Sequence, residues 1–404
     1  MSIIAVLGTL DTKGEEHGYV AKLIRSRGHE TLLIDAGTLE PPTLQPDVSR
    51  DELAAAAGID FSSLSERQDR GESVKAMAEG ASILLPKLAA EKKIHGIVSL
   101  GGGGGTAIGT AAMRSLPVGF PKLMVSTLAA SENVTEYVGV KDVVMMPSIV
   151  DVAGLNRVSR QIFANAAGAI CGMVETQVPD SDDKPIIVAS MFGNTTDCVD
   201  QAKVILEEAG YEVLVFHATG TGGRAMEALV ETGLVSGVLD LTTTEWADQL
   251  VGGILAAGPN RLEAAAHNDV PAVIGPGCLD MVNFGPRTTI PPKFEGRLFY
   301  EHNPQVTLMR TSPEECAELG RILADKVNLS TGPVSVLLPT EAISVISAAG
   351  QPFHDPASDQ ALFSSIKRNL SKKVDLREIT ATINDHAFSK LAAEVLLGLI
   401  GERD

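Results

Sequence analysis

Five consecutive glycines, Gly101 to Gly105, stand between an apolar run, Ile94-His95-Gly96-Ile97-Val98, and a helical pattern over residues 106–115. Ser99 and Leu100 lead into the run, and Thr106 and Ala107 follow it. Each glycine costs roughly 0.5–1 kcal/mol of extra backbone entropy to order. A strand-to-helix turn needs one or two of them, so five in a row call for another reason. Backbone without Cβ atoms lets a ligand touch the main chain, and N–H groups at a helix start hold anions. The chemistry implied is a cradle for phosphate groups. The bland alternative is a flexible surface loop.

Three further loops leave expected strand ends on the same edge, at residues 8–13, 35–38 and 126–132. With the glycine run they offer Gly8, Thr9, Asp11, Thr12, Lys13, Asp35, Thr106, Ser126 and Thr127. A nucleotide suits that set. Thr12 and Thr106 would add hydroxyl contacts and Lys13 a positive charge. Asp35 would accept from a ribose, as an acidic residue after the second strand does in dinucleotide folds, and Asp11 would face a magnesium ion. Plainer roles compete with each: Thr12 with Glu15 fits a helix capping box, Lys13 fits a solvated first turn, and Asp35 fits a turn. No GxxxxGK[ST] motif occurs, which disfavours a standard P-loop ATPase or kinase. Gly102-x-Gly104-x-x-Ala107 and Gly220-x-Gly222-x-x-Ala225 fit a loose dinucleotide pattern, a weak signal in a chain with 39 glycines.

The second half has a different chemical character. Its corresponding loops carry Asn194, Thr195, Thr196, His217, Asp240, Thr242, Thr243, Glu245 and Cys278, with Glu301-His302-Asn303, Arg310 and His354-Asp355 further on. Histidine beside carboxylate can do acid–base work. The catalytic candidates are His217, Asp240, Glu245 and His354. Cys278 could act as a nucleophile, although a small buried thiol is the plainer reading.

Alternating short apolar runs and helical patterns must position these residues. Residues 3–7, 31–34, 94–98, 122–127 and 143–146 read as strands. Residues 12–27, 72–93, 106–115 and 156–176 read as helices. Such alternation implies parallel sheets with right-handed crossovers. The polar stretch 177–185, with Pro179 and Pro185, reads as a linker, which sets an N-terminal domain of residues 1–178 and a C-terminal one of 179–404. The second half repeats the first in order. Ile186-Ile187-Val188-Ala189 echoes Ile3-Ile4-Ala5-Val6, and residues 210–218 echo 28–36. Residues 237–244 echo 96–103, and Pro271-Ala272-Val273-Ile274 echoes Pro121-Lys122-Leu123-Met124. The expected fold is α/β: two Rossmann-like, doubly wound parallel-sheet domains related by internal duplication. The tail adds strands at 305–310 and 334–338 and helices at 312–326, 359–370 and 384–399.

Composition bounds the partners. The chain has 404 residues, 44% hydrophobic and only 4% aromatic, as in parallel sheets packed between helices. A net charge of −18 with no basic run argues against nucleic acid and anionic membrane surfaces. Cys171, Cys198, Cys278 and Cys316 form no CxxC pair, which suits a reducing cytoplasm. Neither a signal peptide nor a bilayer-spanning apolar segment is expected.

The residues 8–14, the loop 99–106 and Phe353-His354-Asp355-Pro356 carry a resemblance. The chain resembles an uncharacterised bacterial family that is similar to the N-terminal inhibitory half of the plant protein conferring resistance to tomato mosaic virus. The resemblance covers essentially the whole chain. It implies two Rossmann-like subdomains, ATP binding in the N-terminal one, and a homodimer, with nucleotide contacts on the opening loop and the glycine run. The plant protein continues into a second half resembling a barrel enzyme, so viral inhibition is not carried over. Three functions are weighed. The first is a cytoplasmic nucleotide-binding protein taking ATP with Mg2+. The second is a metabolic enzyme (hydrolase, lyase or transferase) acting on a small anionic substrate in a cleft between the domains. The third, resting only on the two glycine patterns, is an NAD(P)-dependent oxidoreductase.

Overall fold

A computed structural model describes residues 1–67, 69–179 and 182–402. Asp180 and Ser181 of the expected linker lie outside the described residues. The chain divides into two compact units, residues 1–180 and 181–404.

The first unit runs β1 (Ile3–Gly8), α1 (Leu10–Ser26), β2 (Glu30–Asp35), α2 (Arg50–Ala56), α3 (Phe61–Arg67), α4 (Arg70–Ala90), β3 (Gly96–Gly101), α5 (Gly103–Ser115), β4 (Lys122–Ser126), α6 (Val134–Val138), β5 (Val144–Pro147) and α7 (Arg157–Glu175). Its five strands are all parallel, in the order β2-β1-β3-β4-β5. Alternate side chains of a strand point to opposite faces, and β1 shows it. Ile4 and Val6 pack with Val20 and Ile24 of α1 and Phe163 and Ile170 of α7. Ala5 and Leu7 pack with Met77 and Leu85 of α4 and Ile108 and Met113 of α5. Both faces are therefore covered, which accounts for the apolar run of β1 on both of its faces.

Two starts differ from expectation. Helix α5 begins inside the glycine run: Gly101 ends β3, Gly102 is the N-cap, and Gly103 to Gly105 form the first turn. Helix α1 begins at Leu10, with Thr9 as N-cap and no side-chain cap. The capping box expected at Thr12 does not form. The Leu10 N–H is drawn 3.0 Å from Asp35 Oδ1, a tertiary bond that starts the turn early. Lys13, at φ −129°, then breaks the helical path.

The second unit runs β6 (Ile186–Met191), α8 (Thr196–Glu208), β7 (Glu212–His217), α9 (Thr221–Val230), β8 (Val235–Thr242), α10 (Glu245–Val251), α11 (Ala264–His267), β9 (Ala272–Gly277), β10 (Met281–Phe284), β11 (Phe299–Asn303), β12 (Val306–Arg310), α12 (Pro313–Val327), β13 (Val334–Pro339), α13 (Pro356–Asn369), β14 (Asp375–Ile379) and α14 (His386–Gly401). Six parallel strands stand in the order β7-β6-β8-β9-β13-β14. Strands β6 to β9 hold the places of β1 to β4, as the repeated segments require, and β13 holds that of β5. The fold is therefore two Rossmann-like α/β units of one topology, the second with an extra edge strand. Strand β12, at the strand expected over 305–310, joins β10 and β11 in a separate antiparallel sheet. All four cysteines are buried and unpaired. Among the described residues no helix is long and apolar enough to cross a membrane.

Candidate functional site

Helix α1 leaves β1 toward one face of the first sheet, and α5 leaves β3 toward the other. Strands β1 and β3 are neighbours, so the strand order reverses between them. In open α/β sheets a ligand crevice forms beyond the carboxyl ends of the strands at such a switch point. A cavity of about 350 Å3 lies there. Thr9, Asp11, Thr12 and Lys13 line it from the α1 start, Gly101 to Gly105 from the α5 start, and Thr38, Leu39, Arg70 and Asp151 from the rim. The opening loop and the glycine run, 88 residues apart from Lys13 to Gly101, thus share one wall of space.

The glycines divide into two kinds. A Cβ on Gly101 would stand 2.8 Å from the Gly105 Cα, so the turn itself requires glycine there. A Cβ on Gly103 would meet nothing within 4 Å, and those on Gly102 and Gly104 would make only ordinary contacts, with Thr127 at 3.8 Å and Val74 at 3.4 Å. None of these three has a positive φ. Among the described residues, nothing in the packing calls for glycine at 102, 103 or 104. The first helical backbone bond is Thr106 N–H to Gly102 O at 2.8 Å, so the N–H groups of Gly103 to Gly105 have no intrahelical acceptor.

Two cations stand at this cavity, half-buried Lys13 and exposed Arg70. Neither makes an ion pair among the described residues. Arg70 is not among the expected contacts, because it lies outside the four loops at the strand ends. It is the first residue of α4, behind the Asp69 cap.

Several expected contacts lie elsewhere. Asp11, 8% exposed, lines the cavity but holds loops together. Its Oδ2 accepts from the Thr38 and Leu39 N–H groups at 3.1 and 2.9 Å, and its Oδ1 from the Thr12 N–H at 2.7 Å. No group of three or more His, Cys, Asp or Glu able to hold a metal occurs among the described residues. Asp35 is fully buried and does not line the cavity. Its Oδ1 accepts from Leu10 and Gly37, and burial raises its pKa against the lowering by those bonds. It is a fastener of the α1 start rather than a ribose contact. Gly8 is required by His17: a Cβ there would fall 2.0 Å from His17 Nε2. That imidazole is buried, its pKa is lowered by desolvation, and its Nδ1 lies 2.7 Å from the Lys13 carbonyl. Thr106 and Ser126 are buried and bonded to each other at 2.6 Å. Thr127 lines an adjoining cavity.

The second unit's candidates are not gathered into a site. Arg261, 2% exposed, is bound by Asp240 and Glu245 together with Glu227. Glu245 Oε1 also accepts from the Gly220 and Gly223 N–H groups at 2.6 and 3.1 Å. The N-terminus of α9 thus holds a carboxylate of its own chain where a ligand anion would sit. A Cβ on Gly222 would fall 1.8 Å from the His217 carbonyl, and one on Gly223 2.1 Å from Glu245. Packing explains these glycines fully, unlike Gly102 to Gly104. His217, at the end of β7, and His354, in the loop before α13, are exposed, and among the described residues the ring of His354 hydrogen-bonds only the Ser347 carbonyl, at 3.3 Å. Cys278 is buried with its pKa pushed well up by desolvation, which leaves a structural thiol.

The N-terminal model of the Uncharacterised protein family (UPF0261) matches residues 2–179, and its C-terminal model matches residues 184–400. Similar proteins include a UPF0261 protein of Clostridium tetani, 46% identical over 98% of each chain. UPF0261 protein RA0729 of Rhizobium meliloti is 47% identical over 97% of this chain and 98% of that one. The ToMV resistance protein Tm-1(GCR237) of Solanum lycopersicum is 36% identical over 97% of this chain, which spans 55% of the plant protein. The chain belongs to this uncharacterised family, and the resemblance to the tomato protein covers 97% of this chain.

Proposed function

We propose that the N-terminal unit binds a nucleotide, ATP, with its phosphates at the start of α5. The observation that carries the reading is the set Gly102, Gly103 and Gly104: bare main chain facing a cavity, with no packing reason to be bare. Unsatisfied N–H groups and the positive end of the α5 dipole attract an anion there. Lys13 and Arg70 supply charge for phosphates that Asp11 and Asp151 alone would repel. Mg2+ enters on the phosphates, its usual mode of binding, beside the Asp11 carboxylate. Residence in the cytoplasm and homodimerisation belong to the same proposal. The enzymatic alternative gains nothing from the second unit, where Asp240 and Glu245 are consumed by Arg261.

The test is a thermal-shift panel of ATP, ADP, NAD and NADP on the full chain and on Gly103→Val. A ligand at a hundredfold over its Kd adds about 2.7 kcal/mol of stability, so ATP is expected to raise the Tm of the native chain by several degrees. The Val side chain fills open space where phosphate would lie, so Gly103→Val is expected to fold with an unchanged Tm and lose the shift. A shift with NAD and none with ATP, or an undiminished ATP shift in Gly103→Val, overturns the reading.

A further inference from the structure

We propose that the nucleoside half of the bound nucleotide lies on the β4–β5 side of the glycine cradle, with the ribose hydroxyls at Asp151 and a face of the base on Ile149; this rests on the nucleotide reading above. A second cavity of about 550 Å3 opens on that side, lined by Ser126, Thr127, Ser148, Ile149 and Asp151 among others. Asp151 lines both cavities, so the two meet at its carboxylate. Thr127 Oγ1, on the wall of the second, lies 3.8 Å from the Cβ position of Gly102 in the first. Each volume alone falls within the range of small-molecule sites, and a molecule with an anionic end and an uncharged end can occupy both.

Ile149 is the feature that this chain's own packing leaves unexplained. Its φ is +64°, a conformation in which a β-branched residue is an outlier. The Val150 N–H bonds the Ser148 carbonyl at 2.7 Å across it, which makes a strained three-residue γ-turn. Neighbours hold the turn in place: buried Ser148 gives its hydroxyl to the Val150 carbonyl at 2.6 Å, and its N–H bonds the Ser126 carbonyl at 3.1 Å. Yet the side chain that the turn presents is 78% exposed. Strain of this kind persists where the surroundings over-determine it, and it clusters at ligand clamps. An exposed isoleucine held over a cavity offers a flat apolar contact of the sort a base takes.

The carboxylates point the same way. On the β2 side Asp35 and Asp11 are engaged by backbone N–H groups. Asp151 makes no hydrogen bond or ion pair among the described residues, and an unengaged carboxylate beside a phosphate cradle is suited to accept from ribose hydroxyls. The competing apolar surface is Leu39, exposed at the far rim of the first cavity.

The experiment is calorimetric titration of the full chain with ATP, 2′,3′-dideoxy-ATP and inorganic tripolyphosphate, on the native chain, Ile149→Gly, Asp151→Ala and Leu39→Ala. Ile149→Gly is expected to raise the Tm, because glycine accepts the turn, and to weaken ATP by about tenfold with tripolyphosphate unchanged. Asp151→Ala, which removes both acceptor oxygens, is expected to weaken ATP to the level of the dideoxy analogue and to leave that analogue unaffected. ATP affinity unchanged in both variants, or lost instead in Leu39→Ala, overturns this placement while the nucleotide reading stands. A native chain that takes up neither ATP nor tripolyphosphate overturns both.

Discussion

At the scale of single residues, the five glycines of the run do not share one reason for being glycine. Gly101 is demanded by the closeness of Gly105, whereas Gly103 faces open space. Identity of residue type concealed that difference, because what a Cβ would strike depends on neighbours distant in sequence. Asp248 of α10 makes the same point for a charge. Burial raises its pKa to about 7, against the lowering by bonds from Asn283 and Leu255. A carboxyl raised in the folded state holds a proton that the unfolded state has released, so its contribution to stability falls as pH rises from about 4 to about 7. Asp248→Asn removes that dependence. The new amide can face Asn283 Oδ1, which has no partner among the described residues, once the Asn283 amide turns over. Urea melts are expected to show the variant gaining on the native chain across that interval; a difference independent of pH would refute the assignment.

At the scale of elements, the site is made by where two helices start. The α5 start was legible as a glycine run after an apolar strand, and only its first helical residue was misplaced, at Thr106 instead of Gly103. The α1 start was misread, since Thr12 and Glu15 satisfy a capping pattern that the Asp35 bond to Leu10 pre-empts. No local rule foretells a competitor 25 residues away. Asp35→Ala leaves two buried N–H groups without an acceptor, each worth about 1–3 kcal/mol. It is expected to lower stability by that order and to weaken ATP by unfixing the α1 start. Asp35→Asn keeps an acceptor oxygen and is expected to stay close to native in both. Denaturant midpoints and titrations of the pair check this, and equal losses in both variants would show that charge, not the acceptor, matters.

At the scale of the molecule, each buried apolar cluster draws its described residues from one unit. A unit with its own core is expected to fold alone. Residues 1–179, produced separately, should melt cooperatively and take ATP with the affinity of the full chain; a fragment that folds but loses ATP would show that the second unit completes the site. Light scattering of the full chain is expected to give twice the chain mass, and a monomer would remove the dimer from the proposal. The duplication also gains meaning at this scale. The two units share a strand order, yet in the second copy Glu245 sits at the α9 start, and Asp240 and Glu245 meet on Arg261. The α9 start, which follows β7, the counterpart of β2, is thus filled by a carboxylate of the chain itself, whereas the α5 start after β3 meets no acceptor side chain among the described residues.

The sequence by itself determined the parallel α/β class, the internal repeat, and the pairing of a glycine run with the opening loop. Those follow from local periodicity and from strands that must be apolar on both faces. The tertiary structure alone decided which glycines are bare for want of a neighbour, that Asp35 is buried under α1, that Arg70 reaches the cavity, and that Ile149 stands strained at its edge. Each of those depends on contacts between segments far apart along the chain, and no spacing along one dimension encodes the distance between them in three.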